Sequence, residues 1–182
     1  MRNIELKAHL RDRAFALDVC QRLGASSCGD IHQRDTYFRV PKGRLKLRES
    51  DPGDDYLVFY HRPDVAGPKG CDYSIEVVNR SLRGILMEAL GVLAIVEKKR
   101  TLFLWKNVRI HLDEVTDLGS FIEFEAVLSD GYDEADGHSK IAFLQHEFGI
   151  APSDLLETSY LDIMLGKSKV DDGDSAEEPL RF

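Results

Sequence analysis

The sequence predicts a mainly β domain of the α+β class: a large curved antiparallel sheet with amphipathic helices on its apolar side. Three observations carry this expectation. Apolar and polar residues alternate with a period of two through most of the chain. Turn-forming Gly, Pro, Asn and Asp punctuate the alternating stretches. The few stretches with helical spacing supply enough amphipathic surface to cover such a sheet.

In chain order, residues 3–10 read as a strand, with Ile4, Leu6, Ala8 and Leu10 alternating against Asn3, Glu5, Lys7 and His9. A helix follows over 13–23, where Phe15, Val19 and Leu23 recur at one-turn spacing, Asp12 caps the start and Gly24 stops it. Residues 26–30 read as a loop leading to a strand over 33–40. The turn Pro41-Lys42-Gly43 joins that strand to another over 44–49 as a hairpin. A second turn, Asp51-Pro52-Gly53-Asp54, precedes a strand over 56–62, and 63–70 reads as a polar loop. Strand 73–78 and a short helix over 81–90, with Ser81 as cap and Gly91 as stop, come next. Strands follow over 94–105, 108–115 and 120–128, the first two joined by Lys106-Asn107 and the last two by 116–119. Helices over 136–148 and 153–165 close the domain, with Pro152 and Ser153 marking the second start.

The bulk properties bound the function. A chain of 182 residues suits one domain, expected over 1–166, with 167–182 as a disordered acidic tail. The net charge of -8, from 24 basic against 32 acidic residues, argues against a general nucleic-acid binder. Cys20, Cys28 and Cys71 have no metal-like spacing, and the charged start Met1-Arg2-Asn3-Ile4-Glu5 is not a signal peptide. No apolar run is long enough to span a bilayer, so a cytoplasmic protein without a membrane partner is expected.

Side chains at i, i+2 and i+4 share a strand face. On that rule Glu5 goes with Lys7; Arg44 with Lys46 and Arg48; Tyr60 with Arg62; and Lys98 with Arg100. Likewise Arg109 goes with His111 and Asp113, and Glu123 with Glu125. The signs segregate, basic in the middle strands and carboxylate at the first and last. If the sheet closes with these faces inward, it encloses a polar lumen. Burying Lys7, Arg44, Lys46, Arg48, Arg62, Lys98, Arg100 and Arg109 together is unfavourable unless a polyanion fills the space. Glu5, Asp113, Glu123 and Glu125 are then hard oxygen ligands for Mg2+ or Mn2+, ions that bridge phosphates. Of the remaining polar residues, His111 reads as a structural histidine, Tyr37 and Tyr60 as rim packing, and Asp35 as a turn or structural carboxylate. Glu97, Lys99 and Glu114 fall on the outer face, and Trp105 reads as packing against a helix.

Asn3-Ile4-Glu5-Leu6-Lys7 as an ExExK-like opening, Arg44-Leu45-Lys46-Leu47-Arg48-Glu49 and Val96-Glu97-Lys98-Lys99-Arg100 follow one another in an order that carries a family resemblance. On them residues 1–166 resemble the CYTH superfamily, the triphosphate tunnel metalloenzymes, and within it the class IV adenylate cyclases. The most specific stretch of the resemblance is Arg109-Ile110-His111-Leu112-Asp113-Glu114-Val115, followed by Leu118 to Glu125 with paired glutamates; Ser159-Tyr160-Leu161-Asp162 adds to it. The one departure is Asn3 in place of the first glutamate, which leaves an amide oxygen without charge and implies a weaker or missing metal site.

The resemblance implies an eight-stranded antiparallel β-barrel with helices outside, and an enzyme acting on a triphosphate with Mg2+ or Mn2+. It implies catalytic roles for Glu5, Lys7, Arg109, Glu123 and Glu125. Two reactions are open: cyclisation of ATP to cyclic AMP and pyrophosphate, or release of orthophosphate from ATP or inorganic triphosphate. The cyclase branch also implies a homodimer. A non-catalytic nucleotide- or polyphosphate-binding module, favoured by Asn3, and a plain scaffold without an anion site are the readings of another class.

Overall fold

The computed structural model describes residues 2–61 and 67–171. Its strands are β1 (Arg2–His9), β2 (Ser26–Phe38), β3 (Arg44–Asp51), β4 (Asp55–His61), β5 (Lys69–Val78), β6 (Val92–Trp105), β7 (Val108–Val115) and β8 (Gly119–Val127). The helices are α1 (Arg13–Arg22), α2 (Leu82–Leu90), α3 (Glu134–Glu147) and α4 (Tyr160–Asp171). The strands form a closed barrel in the order β1-β5-β4-β3-β2-β6-β7-β8, and β8 pairs back to β1. Every pairing is antiparallel, so the expected eight-stranded barrel is the fold.

The outward apolar side chains of β1, β7 and β8 form the main core with α1 and α3. Ile4, Leu6, Ile110, Leu112, Ile122 and Phe124 meet Val19, Ile141, Leu144 and Phe148, all buried. Asp12 caps α1 by accepting from the Phe15 amide at 2.9 Å, and Asp133 does the same for α3 from Asp136 at 2.8 Å. Trp105 stacks on Phe143 of α3 at 5.3 Å, the helix packing its sequence position suggests. Gly137 allows α3 to lie close on β1, since a Cβ there would stand 3.0 Å from Ile4 Cγ1. Among the described residues no helix is long and apolar enough to cross a membrane.

Several element boundaries differ from the sequence reading. Residues 26–30 are strand, because the long β6 offers pairing partners from Thr101 to Leu104, with a bulge between Ser27 and Gly29. β5 begins at Lys69 rather than 73, recruited by β1 through the pair Glu5 and Lys69. Ser81 makes no side-chain cap; the Asn79 side chain accepts from its amide instead.

The largest difference is the last helix. A 3-10 turn over Pro152–Asp154 is followed by extended chain that docks on β1, through an Ala8–Leu155 bridge and a bond from the Leu156 amide to the Lys7 carbonyl. Only then does α4 start, capped reciprocally: Ser159 N donates to Asp162 Oδ2 at 2.8 Å, and Asp162 N to Ser159 Oγ at 3.4 Å. The β1 edge thus outcompetes helix propensity at Ser153. The helix continues through Asp171, and the expected tail lies, for 172–182, outside the described residues.

Candidate active site in the barrel lumen

Closure of the barrel turns the charged strand faces inward, and they line one cavity. Among the described residues six basic side chains reach it: Lys7, Lys46, Arg48, Lys98, Arg100 and Arg109. Four acidic ones do: Glu5, Asp35, Glu123 and Glu125. The excess of positive charge suits an anion that brings several negative charges of its own.

The charges are organised around two carboxylates. Asp35 on β2 is 1% exposed and receives Lys46 Nζ at 2.9 Å, Lys98 Nζ at 2.9 Å, and the Arg48 fork at 2.7 and 2.8 Å. Burial alone would raise its carboxyl, but Arg48, Lys46 and Lys98 outweigh burial and hold it well below the usual carboxylate range. Across the lumen, Glu123 on β8 receives Lys7 Nζ at 2.9 Å and Arg100 Nη2 at 2.8 Å. It too is held well below its ordinary value against burial, chiefly by Lys7, His111 and Arg100. Register explains these meetings: Lys7 and His111 sit opposite Glu123 on either side, and Glu5 and Arg109 sit opposite Glu125.

Asp113, expected as a metal ligand, has both oxygens engaged by protein donors in the structure. Its two oxygens take the Arg100 fork at 2.7 and 2.6 Å and the Tyr160 hydroxyl at 2.9 Å, and it is fully buried. It aims Arg100 at Glu123. Burial and the neighbouring Asp113 and Glu123 push the Tyr160 phenol well above its usual range, so it remains a donor. The Tyr160 ring also lies 3.9 Å from Lys7 Nζ.

Arg44 is drawn to the α4 cap, donating to Ser159 Oγ at 2.8 Å and Asp162 Oδ1 at 3.1 Å, and does not line the central cavity. Arg62 lies outside the described residues. Glu5, Lys7, Lys46, Arg48, Lys98, Arg100, Arg109, Glu123 and Glu125 do come together as the strand faces require.

Asp35, Tyr37, Tyr60 and Tyr160, which the sequence reading treats as structural or leaves unassigned, all line the cavity, and His111 lies opposite Glu123 on the β7 face it shares with Arg109. Asp35 was legible by counting: the hairpin about Pro41-Lys42-Gly43 sets Asp35 opposite Arg48 and Tyr37 opposite Lys46. A further feature carries no charge signal at all. The β4–β5 wall presents Val58, Tyr60, Cys71, Tyr73 and Ile75 to the cavity, apolar or aromatic without a charge. The Tyr60 phenol is pushed up by burial and stays neutral.

The donor set fits a divalent cation. Glu5, Glu123 and Glu125 converge from paired strands, and His111, Glu123 and Glu125 bring ligand atoms within 4.8 Å of one another. Asn3 Oδ1 is buried on the same face of β1 as Glu5 and finds no partner among the described residues. A buried carbonyl oxygen left without a partner is free to accept a donor or a cation.

Lys98 gives the site a pH dependence. Burial, with Arg48, Arg100 and Lys46 nearby, brings its amine down to about 7 although Asp35 opposes the shift. A polyanion entering the lumen favours the ammonium form. Binding of inorganic tripolyphosphate at about pH 8 is therefore expected to take up a proton. Calorimetry in two buffers of different ionisation heat reads this uptake; Lys98→Met should abolish it. A binding heat independent of buffer would remove Lys98 from this role.

A CYTH domain family model matches residues 1–160. A Methanocaldococcus jannaschii protein named as a candidate adenylate cyclase is 20% identical over 174 residues, 90% of this chain and 98% of that one. Among solved structures, a protein of Pyrococcus horikoshii OT3 superposes with a TM-score of 0.76 at 20% identity, covering 88% of this chain and 98% of its own. A candidate adenylyl cyclase from Hippeastrum, described as revealing a dominant triphosphatase activity, superposes at 0.60 with 16% identity, covering 92% and 96% of the two chains. At these identities the structural likeness establishes the fold.

Proposed function

The chain belongs to the CYTH domain family, and from that premise we propose that it is a divalent-metal-dependent enzyme that converts a nucleoside triphosphate, ATP first, to a cyclic nucleotide and pyrophosphate. The observation that carries this reading is the division of the lumen. One side holds the basic side chains and the glutamate cluster, and along the other the described residues Val58, Tyr60, Cys71, Tyr73 and Ile75 of β4–β5 meet the cavity without a charge, with Lys69 opposite Glu5 at the start of β5. Inorganic triphosphate alone has no use for such a wall. A triphosphate with a base and sugar attached does, since the planar group packs on Tyr73, Val58 and Ile75 while the phosphates lie among the cations.

In this reading Lys7, Lys46, Arg48, Lys98, Arg100 and Arg109 hold the phosphate oxygens, the arginines by paired donors and the lysines as point charges. Asp35 and Glu123 are stand-in counterions that release these cations when phosphate arrives. Asp113 and Tyr160 keep Arg100 oriented throughout. Glu5, Glu123 and Glu125, with the Asn3 amide beside them, would hold the ion, which when bound offsets charge developing on the phosphates. The ribose 3′-hydroxyl attacks the α-phosphorus and gives its proton to water, the bond from that phosphorus to the oxygen bridging to the β-phosphorus breaks, and pyrophosphate leaves with that oxygen.

A second reaction on the same parts, attack of water on the terminal phosphorus, is favoured by the activity stated for the Hippeastrum relative. Product analysis separates the two. The full chain is incubated with ATP, and separately with inorganic tripolyphosphate, under Mg2+ and under Mn2+, and the products are resolved by chromatography. Cyclic AMP and pyrophosphate from ATP are the expected result. Orthophosphate without cyclic AMP would transfer the protein to the triphosphatases. Binding without either product would leave a nucleotide-binding module.

A further inference from the structure

His111 is the one imidazole within the carboxylate cluster, and its placement is specific. It sits on β7 opposite Glu123, 3% exposed, with Nδ1 3.3 Å from Glu123 Oε2 and 3.9 Å from Glu125 Oε1. Bonds of about 2.0–2.2 Å to a common ion put neighbouring ligand atoms about 3 Å apart and opposite ones about 4.2 Å apart. The three side chains, with ligand atoms within 4.8 Å of one another, are near that spacing before any ion arrives.

A second observation points to the same place. Asn3 is 4% exposed and lines the same cavity, two residues before Glu5 on one face of β1, and its Oδ1 has no partner among the described residues. Glu5 in turn faces Glu125 across the strand pair. The amide oxygen is thus a neutral donor one layer along from the Glu5–Glu125 pair and two from the Glu123–His111 pair.

A neutral amide and an imidazole change what the site selects. Mg2+ demands near-ideal octahedral oxygen ligation and parts reluctantly with water. Affinity for sites with nitrogen donors rises along the first-row ions from Mn2+ towards Cu2+, and imidazole suits the later ones best. We propose that His111 ligates the divalent ion of this barrel directly through Nδ1, so that the site prefers a nitrogen-accepting first-row ion such as Mn2+ over Mg2+. This rests on the reading of the lumen as a metal-dependent triphosphate site. Ligation through Nδ1 leaves the ring proton on Nε2. The competing arrangement is a histidine that merely hydrogen-bonds Glu123 and never meets the ion.

Pulsed electron paramagnetic resonance on the full chain loaded with Mn2+ decides between them. Inorganic tripolyphosphate is added as the companion ligand because it carries no nitrogen. Directly bound imidazole gives a nitrogen coupling that changes when the chain is labelled with 15N-histidine and disappears in His111→Gln. That variant should also weaken Mn2+ binding by about tenfold or more while Mg2+ binding stays within about twofold. If His111→Gln does not fold, the isotope switch in the unsubstituted chain, together with its Mn2+ over Mg2+ preference, decides alone. Bound Mn2+ with an all-oxygen sphere, or a nitrogen coupling that survives in His111→Gln, overturns the inference and leaves the metal-dependent reading standing. Failure of both ions to bind, with and without tripolyphosphate, overturns both.

Discussion

Asp35→Ala is expected to lower the stability of the ligand-free protein by about 3–5 kcal/mol, the cost of leaving buried charge without its partner. Asp35 is the shared counterion of Lys46, Arg48 and Lys98, which reach it from two neighbouring strands. Removing it leaves Lys46, Arg48 and the Lys98 amine, whose charge Asp35 favours, without their counterion inside a closed barrel. For a domain of this size the loss is a drop in Tm of roughly 6–20 °C. Because the barrel is built to exchange this carboxylate for phosphate, inorganic tripolyphosphate should raise the Tm of Asp35→Ala more than that of the unsubstituted chain. The pH dependence follows from the direction of the shift. The Asp35 carboxyl lies well below its unfolded value, so its stabilisation is present above about pH 4 and is lost as pH falls through the folded value. Asp35→Ala should lack that part of the acid-unfolding curve. Thermal melts against pH and tripolyphosphate test all of this. A Tm within about 2 °C of the unsubstituted chain, or no extra rescue by tripolyphosphate, would remove Asp35 as organiser of the cation cluster.

What could be read without coordinates follows from how the partners are separated along the chain. Strand parity put Lys46 with Arg48, Lys98 with Arg100, and Glu123 with Glu125 on common faces, and closure of the barrel made those faces one lumen. Hairpins add register. Counting outward from 41–43 sets Asp35 against Arg48, and counting from 116–119 sets His111 against Glu123. Both were countable, yet a lone Asp and a lone His in strands have many structural explanations, and only the convergence of three or four partners distinguishes them. The contacts between non-sequential strands had no such ruler. Lys7 and Glu123 are 116 residues apart, and the β1–β8 closure that joins them depends on the whole barrel.

The C-terminal segment was harder still. Ser153 and Ser159 each stand at an acceptable helix start, and each has an acidic residue close behind it. The choice is made by β1, whose Lys7 carbonyl captures the Leu156 amide and carries the chain past the first site. That detour places Tyr160 over Lys7 and against Asp113, so a local boundary decides which aromatic group enters the lumen. The uncharged β4–β5 wall was invisible for another reason: Val58, Tyr60, Tyr73 and Ile75 alternate like any core-facing strand, and nothing in that pattern says the core contains a ligand.

Glu123→Gln is expected to lower turnover by about 10²- to 10³-fold while the protein stays folded and still binds inorganic tripolyphosphate. The argument is geometric. Glu123 is where Lys7, Arg100 and His111 converge, and its carboxyl is held well below its ordinary value, so it is anionic at any working pH. In the proposed reaction it gives up Lys7 and Arg100 to phosphate and contributes its charge to the ion. Gln keeps the shape and one acceptor but brings no charge, so the ion is held weakly at the moment charge develops on the phosphates. The fold tolerates the change because the cations are not stranded: Arg100 keeps its fork on Asp113, and Lys7 keeps the Tyr160 ring. Removing a negative charge from a lumen that binds a polyanion also lessens repulsion, so tripolyphosphate should bind without metal at least as tightly as before. Loss of kcat with retained anion binding is the signature of a residue that acts through the ion. Lys7→Ala should do the opposite and weaken anion binding directly. The assays are steady-state turnover of ATP under Mg2+ and Mn2+ and calorimetric binding of tripolyphosphate without metal. Turnover within about tenfold of the unsubstituted chain, or anion binding lost in step with turnover, would show that Glu123 is only the resting counterion of Lys7 and Arg100.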